Sequence, residues 1–136
     1  MSVTIKAWLS IGSTYTYLTA LRLRSLIEAS GIELDIRPIS IRQIMKNMDN
    51  IPFPPSKKTN VDYMWRDIQR RAEFYSLPVP DVPAPYPLKE FDRANLVGIV
   101  MEKDGRYLEY LEETYRAWFL DGLEAGSDQN LENVSR

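Results

Sequence analysis

The stretch VTIKAWLSIGSTYTYL (residues 3–18) joins an apolar strand to the start of a long helical pattern. Residues 3–9 alternate apolar with mixed side chains, which is typical of a strand, and the spacing over 15–29 predicts a helix. Hydroxyl side chains lie at this junction, where the unpaired N–H groups and the dipole of a helix favour an anion. Ser13 or Thr14 therefore serves either as an ordinary N-cap or as part of an anion site.

A second strand is predicted over residues 32–38, because IELDIRP alternates strictly and Gly31 is suited to end the preceding helix. Strand, helix and strand with short turns form a β-α-β unit, whose strands should run parallel. Two strands alone rarely make a stable sheet, which usually needs three or more. We therefore expect either that the sheet pairs with another copy of the chain or that further strands of the sheet are missing from these 136 residues.

The rest of the chain reads as helices, predicted over 39–48, 60–75, 88–103 and 107–120, with a last turn within 127–136. A proline-rich connector at 78–87 is expected to be extended. The fold class is thus α/β, with an N-terminal β-α-β part at 1–38 followed by a helical part at 39–136. On the 60–75 helix, Asp62 and Arg66 are spaced to form an i, i+4 pair.

The composition excludes several kinds of chemistry. Cysteine and histidine are both absent, which removes thiol chemistry by the chain itself, the usual general base and the usual zinc ligands, so we expect no metal. The net charge of −2 without a basic stripe predicts no nucleic-acid partner. No apolar run reaches the length of a membrane span and no signal peptide is recognisable, so we expect no membrane association and a cytoplasmic location.

The segment GSTYTYL (12–18) resembles the S-P-Y-S-Y-L segment of 2-hydroxychromene-2-carboxylate isomerases and kappa-class glutathione transferases. These proteins belong to the thioredoxin-like superfamily, on the branch shared with bacterial disulfide oxidoreductases. Further resemblance follows in order along nearly the whole chain, at RP (37–38), NIPF (50–53), YMWRDIQRRA (63–72), LP (77–78), PYP (85–87) and YRAWF (115–119). Thr14 departs from the family, because a proline often follows the serine, and Ser10 replaces an acidic residue.

The resemblance implies a thioredoxin-like domain interrupted after its second strand by the helical insertion, with glutathione as the cofactor between the two parts. Ser13 and Thr16 would take the places of the two cysteines of a C-x-x-C motif, and glutathione would bring the sulfur. Ser13 is then the catalytic residue, while Ser13, Thr14 and Asn50 bind glutathione. For Asn50 the alternative is a turn residue before a proline.

The implied reaction is cis–trans isomerisation of an unsaturated aromatic pyruvate-type acid, in aromatic catabolism, through addition and elimination of the glutathione thiolate. Tyr63 and Arg66 are candidates to bind the substrate carboxylate, the alternative being that they only cover a helix surface. We expect a homodimer, with Tyr107 and Tyr110 as exposed aromatic contacts. A kappa-like glutathione transferase and a non-catalytic thioredoxin-like binding domain are the alternative functions.

The family's C-terminal V-P-T-F-like segment, its two further strands and its last helix have no counterpart in these 136 residues. The sequence therefore predicts a truncated form in which one wall of the glutathione site is missing.

Overall fold

A computed structural model of the chain describes residues 3–50 and 54–134. Thr4–Leu9 (β1) and Glu33–Pro38 (β2) pair in parallel, with Thr4 opposite Glu33 and Leu9 opposite Pro38. The predicted parallel β-α-β unit is confirmed. In the described part of the chain, these strands form a sheet of two strands.

The helix predicted over 15–29 is wrong as a single element, because it is divided into Thr16–Ala20 (α1) and Leu23–Ser30 (α2). At the break, Arg22 turns back and its Nε donates a hydrogen bond to the carbonyl of Leu18 at 2.9 Å. The guanidinium then stacks on Tyr75, 3.7 Å from the ring centroid. Gly31, with φ of 69°, ends α2 in the left-handed conformation that glycine adopts without strain.

Five further helices follow. They are Ile41–Asn47 (α3), Lys58–Phe74 (α4), Arg93–Lys103 (α5), Tyr107–Asp121 (α6) and Asp128–Val134 (α7), with a short 3-10 turn at Pro55–Lys57 before α4. The proline-rich segment before α5 contains neither helix nor strand, as predicted. None of the helices in the described ranges is long and apolar enough to cross a membrane.

The start of α5 and one ion pair differ from the sequence predictions. The helix begins at Arg93 rather than at 88, and the N–H of Lys89 is instead bonded to Glu124 Oε2, at 2.9 Å, in the α6–α7 loop. Asp62 pairs with Lys58 at 2.8 Å and not with Arg66, because α4 begins early enough to include Lys58. Residues 51–53 of the predicted rigid loop lie outside the described residues.

The hydrophobic core is built around α6 and takes side chains from both sides of residue 38. Phe119 is at its centre, stacked on Tyr17 at 4.7 Å and edge-on to Trp65 at 5.4 Å between ring centroids. The expectation that Tyr107 and Tyr110 are exposed is wrong, since they are only 2% and 3% exposed. Both lie against α5, where the Tyr110 hydroxyl donates to the carbonyl of Ala94 at 2.6 Å.

Gly126 offers a test of this packing. A Cβ at Gly126 (φ +85°) would lie 2.8 Å from the carbonyl oxygen of Glu90, whereas a Cβ at Gly105 (φ +70°) would meet nothing within 4 Å. Gly105→Ala adds only backbone strain and should cost about 1 kcal/mol. Gly126→Ala adds a clash with rigid backbone, so we expect a loss of about 2–4 kcal/mol in the free energy of unfolding, measured by urea denaturation. An equal loss of unfolding free energy in the two variants would contradict the close approach of Gly126 to the backbone of Glu90.

Candidate functional site

A cavity of about 230 Å³ lies where the chain leaves the carboxyl end of β1. Its walls come from the turn between β1 and α1, from α3, from α4 and from the segment before α5. They are formed by Ile11, Gly12, Ser13, Thr14, Tyr15, Ile41, Arg42, Met45, Met64, Tyr86, Leu88 and Phe91. The lining is thus mainly apolar and aromatic, with a few hydroxyls and one guanidinium, a composition typical of small-molecule sites.

The backbone of the β1–α1 turn is held by two buried side chains. Asn95 of α5 accepts from the N–H of Ile11 at 2.7 Å and donates to its carbonyl at 3.0 Å. The hydroxyl of Tyr115, in α6, donates to the carbonyl of Ser13 at 2.7 Å and accepts from the N–H of Gly12 at 3.3 Å. The irregular backbone next to Ser13 is therefore fixed by the helical part of the chain.

The interpretation of Ser13 or Thr14 as an ordinary N-cap is wrong. Tyr15 occupies the N-cap position of α1, and no side chain makes a capping hydrogen bond there. The bonds that fix Ser13 use its carbonyl, which accepts from Thr16 N–H at 3.2 Å and from Tyr115. Because α1 has only five residues, its dipole is weaker than that of the long helix the sequence predicted.

Three consecutive N–H groups at this turn have no acceptor within the described residues, namely those of Ser13, Thr14 and Tyr15. All three residues line the cavity. Together with the Ser13 hydroxyl they form a cluster of hydrogen-bond donors, and successive backbone N–H groups of this kind favour a bound anion.

Thr14 and Thr16 face different partners. The hydroxyl of Thr14 is buried and lies 3.0 Å from the sulfur of Met64, to which it donates. The side chain of Thr16 lies near the Tyr115 hydroxyl instead. Burial raises the pKa of Tyr115, while the N–H of Gly12 and the nearby Thr16 side chain oppose that rise. Tyr115 therefore remains a neutral hydrogen-bond donor to the turn.

Of the residues predicted from the sequence, the fold brings Ser13 and Thr14 together, while Asn50, Tyr63 and Arg66 do not line the cavity. The N–H of Asn50 donates to the carbonyl of Met45 at 2.8 Å, which is a turn contact. Tyr63 is 62% exposed, and Arg70 stacks on its ring. The roles of Asn50, Tyr63 and Arg66 stay predictions.

Tyr15 is one of the cavity residues that sequence reasoning missed. Its hydroxyl donates to Asp67 Oδ2 at 2.7 Å, and Arg71 pairs with the same carboxylate at 3.2 Å. Burial and the bond to Asp67 raise the pKa of Tyr15 to about 12, and the same bond lowers the pKa of Asp67. The helical spacing of Tyr15 suggested only a core position, so its polar contact was not visible in the sequence.

Several other missed lining residues come from α3 and from the segment before α5. Arg42 lies over the ring of Phe91, 5.5 Å from its centroid. Burial raises the pKa of Tyr86, an effect that the positive charge of Arg42 partly offsets. These residues are distant from Ser13 in sequence, and no local motif links them to it. In the described ranges, no three carboxylates lie close enough together to hold a metal ion.

Loss of the Asn95 contact should loosen the turn. Asn95→Leu leaves the N–H and carbonyl of Ile11 buried and unpaired, so we expect a loss of about 2–4 kcal/mol in stability. The amide hydrogen of Ile11 should also exchange faster. Asn60→Leu, at an exposed position of α4, should change stability by less than about 0.5 kcal/mol. If the amide hydrogen of Ile11 exchanged as slowly in Asn95→Leu as in the wild type, the contact between Asn95 and Ile11 would not be what fixes the turn.

Alkaline pH should destabilise the fold through its tyrosines. Burial raises the pKa values of Tyr15, Tyr17 and Tyr110 to about 12, while an unfolded chain ionises its tyrosines near pH ~10. The unfolded state releases these protons first, so stability is full below about pH 10 and falls between about pH 10 and 12. Phenolate absorbance and circular dichroism should therefore change together over this interval. Complete ionisation near pH ~10 with the fold intact would contradict these contacts.

Comparison with known proteins gives a family and a fold. A solved structure of a 2-hydroxychromene-2-carboxylate isomerase superposes with a TM-score of 0.79 at 21% sequence identity, over 98% of this chain and 64% of that chain. This chain thus spans less than two thirds of that protein, and at this identity the likeness establishes the fold. No curated protein matches the chain. Residues 4–136 match the family model of the DSBA-like thioredoxin domain, so the chain belongs to the DSBA-like thioredoxin domain family, and the predicted thioredoxin-like class is confirmed.

Proposed function

We propose that this chain carries the Ser13 side of a glutathione-dependent isomerase, which interconverts cis and trans forms of an unsaturated aromatic acid. The observation that carries the proposal is the cluster of donors at the turn. There the hydroxyl of Ser13 and the N–H groups of residues 13–15, which have no acceptor in the described ranges, border an apolar cavity. The isomerase named for the solved structure of the same fold is further support.

The cavity suits a ligand that brings its own thiol. The chain contains no cysteine, so any thiol in the site must come from a bound molecule. A thiolate needs several donors in a site with little water, and Ser13 offers its hydroxyl beside the N–H groups of Thr14 and Tyr15. Apolar side chains such as Ile11 and Leu88 line the same space and lower the local dielectric. When bound, glutathione would supply the nucleophile that makes a substrate double bond temporarily single.

The chain's own residues would act on charge and position. Ser13 would donate its hydroxyl proton in a hydrogen bond to the sulfur, which favours the anionic form and lowers the thiol pKa below its usual value of about 8.5. Asn95 and Tyr115 would keep that hydroxyl in place through the backbone contacts described above. Such fixed donors need no rearrangement when negative charge develops.

Further parts of the proposal rest on the sequence resemblance. They are a homodimer, a role in aromatic catabolism, glutathione contacts by Thr14 and Asn50, and substrate contacts by Tyr63 and Arg66. The proposed cytoplasmic location rests on the expectation drawn from the sequence composition. A kappa-like glutathione transferase would use the same donors around Ser13. The alternative of a non-catalytic binding domain is favoured by one observation, the exposed apolar side chains of Ile5 and Trp8 on β1 and of Val3 just before it.

Glutathione binding by wild-type protein, Ser13→Ala and Ser25→Ala tests the proposal. Ser25 is an exposed serine of α2 and serves as the matched control. A hydrogen bond to a charged group contributes about 1.5–3 kcal/mol, so calorimetry at a pH above the thiol pKa should show Ser13→Ala binding about 10- to 100-fold more weakly. Ser25→Ala should bind as wild type and keep isomerase turnover. Unchanged binding and turnover in Ser13→Ala would refute the proposal, and a folded wild type that binds no glutathione would favour the binding domain.

A further inference from the structure

We propose that Arg42 forms a carboxylate subsite within the Ser13 cavity, selecting ligands that combine an apolar unsaturated or aromatic part with one negative charge. The inference deepens the proposed function and rests on one part of it, namely that the Ser13 cavity is the ligand-binding site. It assigns the recognition of the acid group to α3, rather than to the α4 residues that the sequence suggested.

The charge balance of the cavity carries this inference. Arg42 is the charged side chain among the lining residues, and the other polar groups there are hydroxyls. In residues 3–50 and 54–134, Arg42 takes part in no ion pair. A half-buried guanidinium has lost part of its hydration, so an anionic ligand would find a cation that no carboxylate of the described chain neutralises.

Neighbouring contacts fix the position of Arg42. The N–H of Ile41 donates to Ser10 Oγ at 3.0 Å, and the Ser40 hydroxyl caps α3 by accepting from Gln43 N–H at 3.2 Å while bonding to Asp92. This anchored first turn contains Arg42. The dipole of a helix disfavours a cation at this end, so helix stability does not account for the residue.

The ring of Phe91 packs against the guanidinium of Arg42. The Arg42 guanidinium carbon lies 5.5 Å from the centroid of Phe91, and Lys46 Nζ lies 5.0 Å from the same centroid. Stacking on an aromatic ring leaves the in-plane N–H groups of a guanidinium available, and these match the two oxygens of a carboxylate. The Phe91 ring and the paired N–H groups of the Arg42 guanidinium together suit an aromatic or unsaturated acid.

Different segments of the cavity lining offer different chemistry. Ser13 and its neighbouring N–H groups come from the β1–α1 turn, while Arg42 comes from α3. Met45, Met64 and Leu88 are among the apolar side chains of the same lining. A ligand whose reactive part lies at Ser13 can therefore place its acid group on Arg42. By contrast, Tyr63 and Arg66 are exposed on α4 and do not line this space.

Two pairs of probes test the subsite, each pair comprising an acid and its uncharged counterpart. They are trans-cinnamate with cinnamamide, and glutathione with its diethyl ester, titrated calorimetrically at neutral pH into wild type, Arg42→Gln, Arg42→Lys and Arg24→Gln. Arg24 is an exposed arginine of α2 that does not line the cavity, so Arg24→Gln removes the same charge elsewhere and is the matched control. Wild type and Arg24→Gln should prefer cinnamate over cinnamamide by about 10- to 100-fold. Arg42→Gln should lose this preference, and Arg42→Lys should keep part of it.

The two pairs also distinguish the source of the carboxylate. If Arg42→Gln loses only the preference for glutathione over its ester, the subsite holds a carboxylate of the tripeptide, and the carboxylate assignment stands. A wild type without preference for either acid, or an Arg42→Gln variant that keeps the wild-type preferences, would overturn it. Failure of the proposed isomerase is separable, because an Arg42-dependent preference for cinnamate does not require Ser13-dependent turnover.

Discussion

The site depends on one constraint, the need to pair the backbone polar groups of Ile11, the N–H of Gly12 and the carbonyl of Ser13 in the β1–α1 turn. This turn leaves β1 before α1 begins, so neither a strand ladder nor a helix satisfies its polar groups, and buried N–H and C=O groups must find partners. Asn95 and Tyr115 provide them from α5 and α6. The helical part therefore shapes the Ser13 turn as well as covering it, and the two parts share one core.

The sequence predicted those features of the fold that are decided locally. Alternation placed both strands to within one residue, and Gly31 and Gly122 end helices in the left-handed conformation, as expected. The division between α1 and α2 was missed because it depends on the contact of Arg22 with Tyr75, which is distant in sequence. The burial of Tyr107 was missed for a similar reason, since it depends on α5 packing against α6, where the ring passes close to Gly98.

The site was also predicted only in part, because the sequence shows local features but not the contacts between residues that are distant in sequence. Ser13 and Thr14 were found because the strand-to-helix junction and the family-like segment are both local. Arg42, Tyr86 and Phe91 belong to separate segments that meet only in the folded chain. Tyr63 and Arg66 were candidates because a phenol and a cation suit a substrate carboxylate. Their side-chain chemistry carried no information on whether their surface of α4 faces the cavity. A basic residue near an acid-binding site is therefore better sought in the folded structure than along the helix that carries the motif.

The central claim is that the Ser13 turn stabilises a bound thiolate. The most direct measurement is the pKa of the glutathione thiol in complex with the protein, followed by thiolate absorbance as a function of pH. The account predicts a value at least about one unit below the usual ~8.5 in wild type, and a return towards that value in Ser13→Ala. A bound thiol that titrates as in free solution, or a lowered pKa that persists without the Ser13 hydroxyl, would contradict the assignment of Ser13.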